Sequence, residues 1–330
     1  MSNKFVIGDF SLRDPHICAD LIELLVFIDY KGNSTLHQND FISIIFSNQI
    51  SINDIDEIER DISLPDSIRN DRVEKKVEDV WMHLEFRQKR FGSAYPFFIK
   101  DDTISFKQGN MDLMTNIYLI LLICSRLKSF MKIKGFAQHF ATIFTDLSKF
   151  AMQGMLPQHA KTYIFDANSE DRKFHFGTKL PTALRELGKN LQVSLINEFV
   201  CDKQSNSGDA GIDIVGVIDF SDSACSNFAL LGQCAARCDN WPAKIFEASP
   251  IRLRPYFNFY WDFPSVLFIP HCYRNTDGNW INEAKIAGAF VIDRIRMLYL
   301  LKKTDKGFIE NEVNKLRYSL TEMRSSFEFD

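Results

Sequence analysis

An α/β fold is predicted, with a central mixed sheet flanked by helices and a mostly helical N-terminal domain in front of it. Apolar side chains recur on a helical period over residues 16–30, 70–90 and 111–130. A β-branched run, Ile214-Val215-Gly216-Val217-Ile218, is followed by short apolar runs at 228–232, 266–270 and 287–292. The helical patterns crowd the front of the chain and the strand patterns the back. The expected division is therefore a helical domain over 1–130 and an α/β domain over 131–330.

The first helix carries Ile17, Leu21, Leu24, Leu25 and Ile28 on one period, with Asp14-Pro15 as its start. Lys31-Gly32-Asn33-Ser34 stops it. The second, Asn70 to Arg90, is highly charged and has Val73, Val77, Val80, Trp81 and Leu84 along one stripe. The charge run Asp54 to Asp61 reads as a solvated face. Met111 to Phe130 is a third, more buried helix. Its apolar run, Ile117 to Cys124, is far shorter than the ~20 residues a bilayer span needs, so no membrane partner is expected. No motif in this half carries chemistry. Polar punctuation falls at Tyr95-Pro96, Lys107–Asn110 and Lys203–Gly208.

At 330 residues the chain exceeds what one modest core needs. Hydrophobic residues make up 45% and charged residues 25%, a balance that excludes a disordered chain. Seven scattered cysteines, an odd number, with no export signal in Met1–Asp9, point to reduced thiols in a cytoplasm. The net charge of −4 gives no global attraction to nucleic acid. Residues 244–303 nevertheless hold nine Lys or Arg against five Asp or Glu, a local basic bias.

The chemistry concentrates in Gly208-Asp209-Ala210-Gly211-Ile212-Asp213, which leads into the 214–218 strand. Two carboxylates stand at the strand's entrance, beside glycines that permit close backbone approach. A polar connection follows, then a second strand from Phe228 that ends in Gln233-Cys234-Ala235. The layout is a hairpin with an acid at one strand's start and an amide at the other's end. Alone, Asp-x-Gly-x-Asp is more often a tight turn in which Asp caps backbone amides.

Joined to Gln233 and the strands downstream, the pattern resembles the PD-(D/E)XK, restriction-endonuclease-like nuclease superfamily, in the shape of its Mrr-like type IV branch. The resemblance covers roughly residues 135–303. It implies a restriction-endonuclease-like core with strand, strand, helix, strand, strand, helix order, closing on the helix at Asp293–Leu301. It also implies a magnesium- or manganese-dependent endonuclease that hydrolyses DNA phosphodiester bonds. By position, Asp213 would be the metal carboxylate and Gln233 the second-strand ligand. Asp209 would be an accessory acid or a loop-ordering group. Phosphodiester hydrolysis needs a hard cation, and Mg²⁺ prefers oxygen ligands such as carboxylate and amide carbonyl.

The pattern departs at its third position, where Ala235 stands in place of the family's lysine. Lys244 is the nearest replacement, with a stem long enough to reach back and orient the attacking water. Glu186 and Glu198 are candidates for the family's helix-borne acid. The family habit further implies a bacterial restriction or antiviral defence system, with a partner subunit that keeps the nuclease silent and docks on the N-terminal domain. The runner-up is a catalytically inactive nuclease-fold scaffold in a multi-protein defence complex, favoured by Ala235. A zinc module built on Cys234, Cys238, His271 and Cys272 is weaker, since this spacing matches no usual closed zinc pattern. His271 reads equally as a phosphate contact or a structural histidine. Trp241 and Trp280 read as core more readily than as base-stacking platforms.

Overall fold

The computed structural model describes residues 4–8, 10–47, 66–109, 111–195, 198–202, 208–237, 240–324 and 328–329. The chain forms two compact units. The first comprises Met1–Phe140, His271–Ile281 and Glu310–Asp330; the second comprises Ala141–Pro270 and Asn282–Ile309. The boundary expected near 130 thus has a neighbour near 140, and the first unit also includes two later segments. The run Asp54–Asp61, residues 203–207 and Cys238 lie outside the described residues.

In the first unit, helix α1 (Pro15–Phe27) is buried at every residue from His16 to Phe27, as a helix apolar on most sides must be. Pro15 occupies the first turn, where the missing N–H has no intrahelical role. Strand β1 (Thr35–His37) and helix α2 (Gln38–Ser47) follow. Helix α3 (Asp66–Phe91) buries Val73, Val77, Val80, Trp81 and Leu84, the stripe read from its period. Strands β2 (Phe97–Lys100) and β3 (Thr103–Phe106) join β1 in an antiparallel sheet of order β1-β3-β2. The first unit is therefore less purely helical than expected. The turn at Asp101-Asp102 has positive φ at both residues, 49° and 57°. That is the two-residue hairpin geometry usually marked by Asn-Gly or Asp-Gly. Helix α4 (Leu113–Ser125) is buried from Met114 onward, and Asp112 caps it by accepting from Thr115 N at 2.7 Å.

Charge is buried in this unit together with its partners. The Arg87 guanidinium lies 2.7 Å from Asp20 and 3.0 Å from Glu23, and all three side chains are fully buried. The Tyr95 and Tyr118 hydroxyls each donate to Glu23 at 2.8 Å. These bonds join α1, α3 and α4 into one frame.

The second unit is a mixed α/β layer structure. Helix α5 (Phe136–Gln153) enters it at residue 141 and leads to strand β4 (Lys161–Ile164). Next come α6 (Glu170–His175), α7 (Leu180–Leu191), β5 (Ile214–Ile218) and β6 (Phe228–Cys234). Short helical turns at Trp241–Lys244 and Pro250–Leu253 precede β7 (Ser265–Phe268), β8 (Phe290–Ile292) and α8 (Arg294–Leu301). The sheet order is β8-β7-β6-β5-β4. Strands β4, β5 and β6 pair antiparallel, whereas β7 and β8 run parallel to β6.

Helices cover both faces of this sheet. On one, Leu180, Leu184, Leu187 and Leu191 of α7 pack with Val215, Val217, Ala229 and Leu231. On the other, glycines let α5 and its following turn lie close. A Cβ at Gly216 would fall 2.5 Å from Leu156 Cδ1, and one at Gly232 would fall 2.6 Å from Met152 Cε. Among the described residues, no helix is long and apolar enough to cross a membrane.

Candidate active site

Asp213 is the residue just before β5, and the backbone locks it there. Its N–H donates to Gly232 O at 2.9 Å, and its carbonyl accepts from Phe165 N at 2.6 Å. Its carboxylate Oδ2 accepts from Cys234 N at 2.7 Å. The register Ile214↔Gly232 sets Asp213 opposite Gln233, one step along the same ladder. Hairpin pairing alone thus brings the acid and the amide together.

The loop in front of Asp213 is the tight turn that its spacing suggests. Asp209 Oδ1 accepts from Gly211 N at 2.8 Å, and Gly211 has φ +82°. A Cβ at Gly211 would lie 2.6 Å from Glu247 O, so only glycine lets the 244–248 turn pack against this loop. The turn reading and the site reading hold together: the turn is what aims Asp209. Asp166 follows β4, and its Oδ1 accepts from Asn168 N at 2.9 Å.

Asp166, Asp209 and Asp213 each offer an oxygen, and these atoms lie within 4.8 Å of one another. With Gln233, Lys244 and Glu247 they line a cavity of about 320 Å³, closed on one side by α5. Gln233 is 5% exposed, and its Oε1 is buried without a hydrogen-bond partner. Such an orphaned acceptor costs about 1–3 kcal/mol unless a ligand satisfies it. The Lys244 ammonium lies 3.4 Å from Glu247 Oε2.

The electrostatics follow from that arrangement. Burial pushes the Asp213 carboxyl up to about 7. The Cys234 N–H and Lys244 oppose the rise, whereas Asp209 and Asp166 add to it. The cavity is short of positive charge, the condition under which a site takes up a proton or a cation. Three carboxylates and an amide carbonyl form a hard, all-oxygen donor set, which suits Mg²⁺ or Mn²⁺.

Asp209, Asp213, Gln233 and Lys244, read from the sequence, meet in this one cavity. Ala235 is buried, and its N–H donates to Phe268 O, so it is a sheet residue with no polar group to offer. Glu186 is paired with Lys189 at 2.6 Å on α7 and does not line the cavity. The side chain of Glu198 lies outside the described residues. Asp166 and Glu247 are the acids that sequence reasoning missed. Asp166 stands directly behind a strand pattern, Tyr163-Ile164-Phe165, but has no glycine beside it to raise the signal.

His271 is no phosphate contact. It is fully buried in the first unit, with Nδ1 3.9 Å from Asp20 Oδ2. Trp241 is core, and the Arg274 guanidinium lies 3.4 Å over the Trp280 ring. Among the described residues, the aspartate trio is the one group of three or more His, Cys, Asp or Glu residues close enough to share an ion.

No family model, curated protein or solved structure matches this chain.

Proposed function

We propose that the second unit is a metal-dependent nuclease of the restriction-endonuclease type, hydrolysing DNA phosphodiester bonds with Mg²⁺ or Mn²⁺. The observation that carries this reading is the three-aspartate cluster sharing a cavity with the orphaned Gln233 Oε1. The order β5, β6, β7, β8, α8 in a mixed sheet supports the reading, with two four-residue helical turns where the resemblance implies a helix. Asp213, Asp166 and Asp209 are the carboxylates that would hold the cation, with Gln233 as a neutral oxygen ligand. When bound, the cation neutralises charge on the phosphate and lowers the pKa of water. Lys244 takes the place that Ala235 leaves vacant, orienting the attacking water and stabilising charge on the phosphoryl oxygens. Glu247 holds the Lys244 ammonium at the cavity's edge.

The wider reading is the effector of a bacterial defence system, with the first unit docking a regulatory partner. The net charge of −4 supports it, because DNA affinity must then come from a local surface or a partner. The competing reading, an inactive scaffold with a nuclease fold, is favoured by Ala235.

Plasmid cleavage with Mg²⁺ or Mn²⁺ decides between them, comparing the native chain with Asp213→Ala, alone and with any co-purifying protein. Cleavage by the native chain and its loss, by a hundredfold or more, in Asp213→Ala is the expected outcome. A folded native chain that cleaves under none of these conditions leaves the scaffold reading standing.

A further inference from the structure

Asp166 and Asp209 stand on loops more than forty residues apart, yet one side chain grips the residue in front of each. Arg172, in the short helix α6, is fully buried. Its Nη1 donates to Phe165 O at 2.8 Å and to Gly208 O at 3.2 Å. Its Nε donates to Gly177 O at 3.0 Å, and the guanidinium lies 4.5 Å over the Phe165 ring. The helix that carries it is itself pinned to β4. Ser169 Oγ accepts from Arg172 N at 3.0 Å, and Asp171 Oδ2 accepts from Ile164 N at 2.8 Å and from Lys149 at 2.6 Å.

A buried guanidinium held by three carbonyls is more than a space filler, because burying a charge carries a desolvation penalty that an apolar side chain avoids. Burial pulls the Arg172 pKa down, while the Asp209 and Asp166 carboxylates pull it up. The charge thus acts on both acids without a direct bond to either being needed. Nη1 alone reaches both loop carbonyls while Nε takes a third, a combination that no other permanently charged side chain offers at this length.

We propose that Arg172 is the positioning residue of the site: it sets the separation of Asp166 and Asp209, and through it the cluster's affinity for a divalent cation. This rests on the metal-site reading above. The direct test is Mn²⁺ binding, measured by calorimetry and electron paramagnetic resonance, on the native chain, Arg172→Lys and Arg172→Met. Circular dichroism and thermal melting confirm folding. Arg172→Lys keeps the charge, but its ammonium ends one bond short of the Nη1 position and the Nε bond to Gly177 is lost. It is expected to weaken Mn²⁺ binding about 10- to 100-fold, the range for residues that orient metal ligands. The Asp209→Asn loss should also shrink in the Arg172→Lys background, which a purely structural role would not produce.

Folded Arg172 variants that bind Mn²⁺ as the native chain does overturn the proposal and leave the metal site intact. A native chain that binds no Mn²⁺ overturns the metal-site reading itself. If neither variant folds even at low temperature, Arg172 holds the fold as a whole, and the positioning role is likewise overturned.

Discussion

In the first unit the Arg87 guanidinium sits between Asp20 and Glu23, and two tyrosine hydroxyls donate to Glu23. In the second unit, three aspartates converge and the nearby Lys244 is already shared with Glu247. Both regions take carboxylates out of water, but the second gives its aspartates only backbone N–H donors, whereas the first adds a cation in direct contact. Burial with partners makes a rigid joint between helices. Burial without enough of them leaves a raised pKa, an orphaned amide oxygen and a cavity. The contrast separates charge that serves the fold from charge kept for a ligand.

The contrast breaks most visibly at Arg87. Arg87→Met should destabilise the chain by about 3–5 kcal/mol, because it strands two buried carboxylates. Urea unfolding measures this, and an unchanged midpoint would remove the first half of the comparison. Removing charge from the second cluster should do the opposite. The folded carboxyl of Asp213 binds its proton more tightly than the unfolded one, with a pKa of about 7 against 3.8. Its contribution to stability is complete below the unfolded value, shrinks as pH rises and is gone above about 7. Asp213→Asn escapes that loss. In the absence of divalent cations it should therefore be more stable than the native chain at pH 8, by about 1–3 kcal/mol, with the gain fading towards pH 4. A variant less stable at pH 8 would show that the cluster is already neutralised.

A subtler effect sharpens the same point. Mn²⁺ competes with the Asp213 proton, so its affinity should rise about tenfold per pH unit below 7 and level off above. Calorimetry at pH 5.5, 6.5 and 8 reads this directly. A flat profile would exclude Asp213 as the ligand that gives up a proton.

The legible part of the site is the part made by neighbours in sequence. Asp213 and Gln233 belong to one hairpin, so strand pattern and register bring them together without knowledge of the rest. Lys244 was reachable as the next lysine after a vacant position. Asp166 follows β4, an edge strand whose place beside β5 is set by tertiary pairing. Glu186 looked suitable on its helix, yet its carboxylate is spent on Lys189. The β1-β3-β2 sheet went unread because its strands have three or four residues and its Asp101-Asp102 turn lacks glycine.

Segment 271–281 shows the same limit from another side. It follows a strand of the second unit, yet it joins the first, where Arg274 O pairs with His83 Nε2 at 2.8 Å. Periodicity and turn chemistry act over a few residues, so by themselves they determined the helical stripes, the 214–234 hairpin and its acid and amide. Which distant loops lend Asp166 and Glu247, and which arginine holds the residues before Asp166 and Asp209, was decided by tertiary structure alone. Those contacts depend on loop closure and burial across long sequence separations, which no local pattern records.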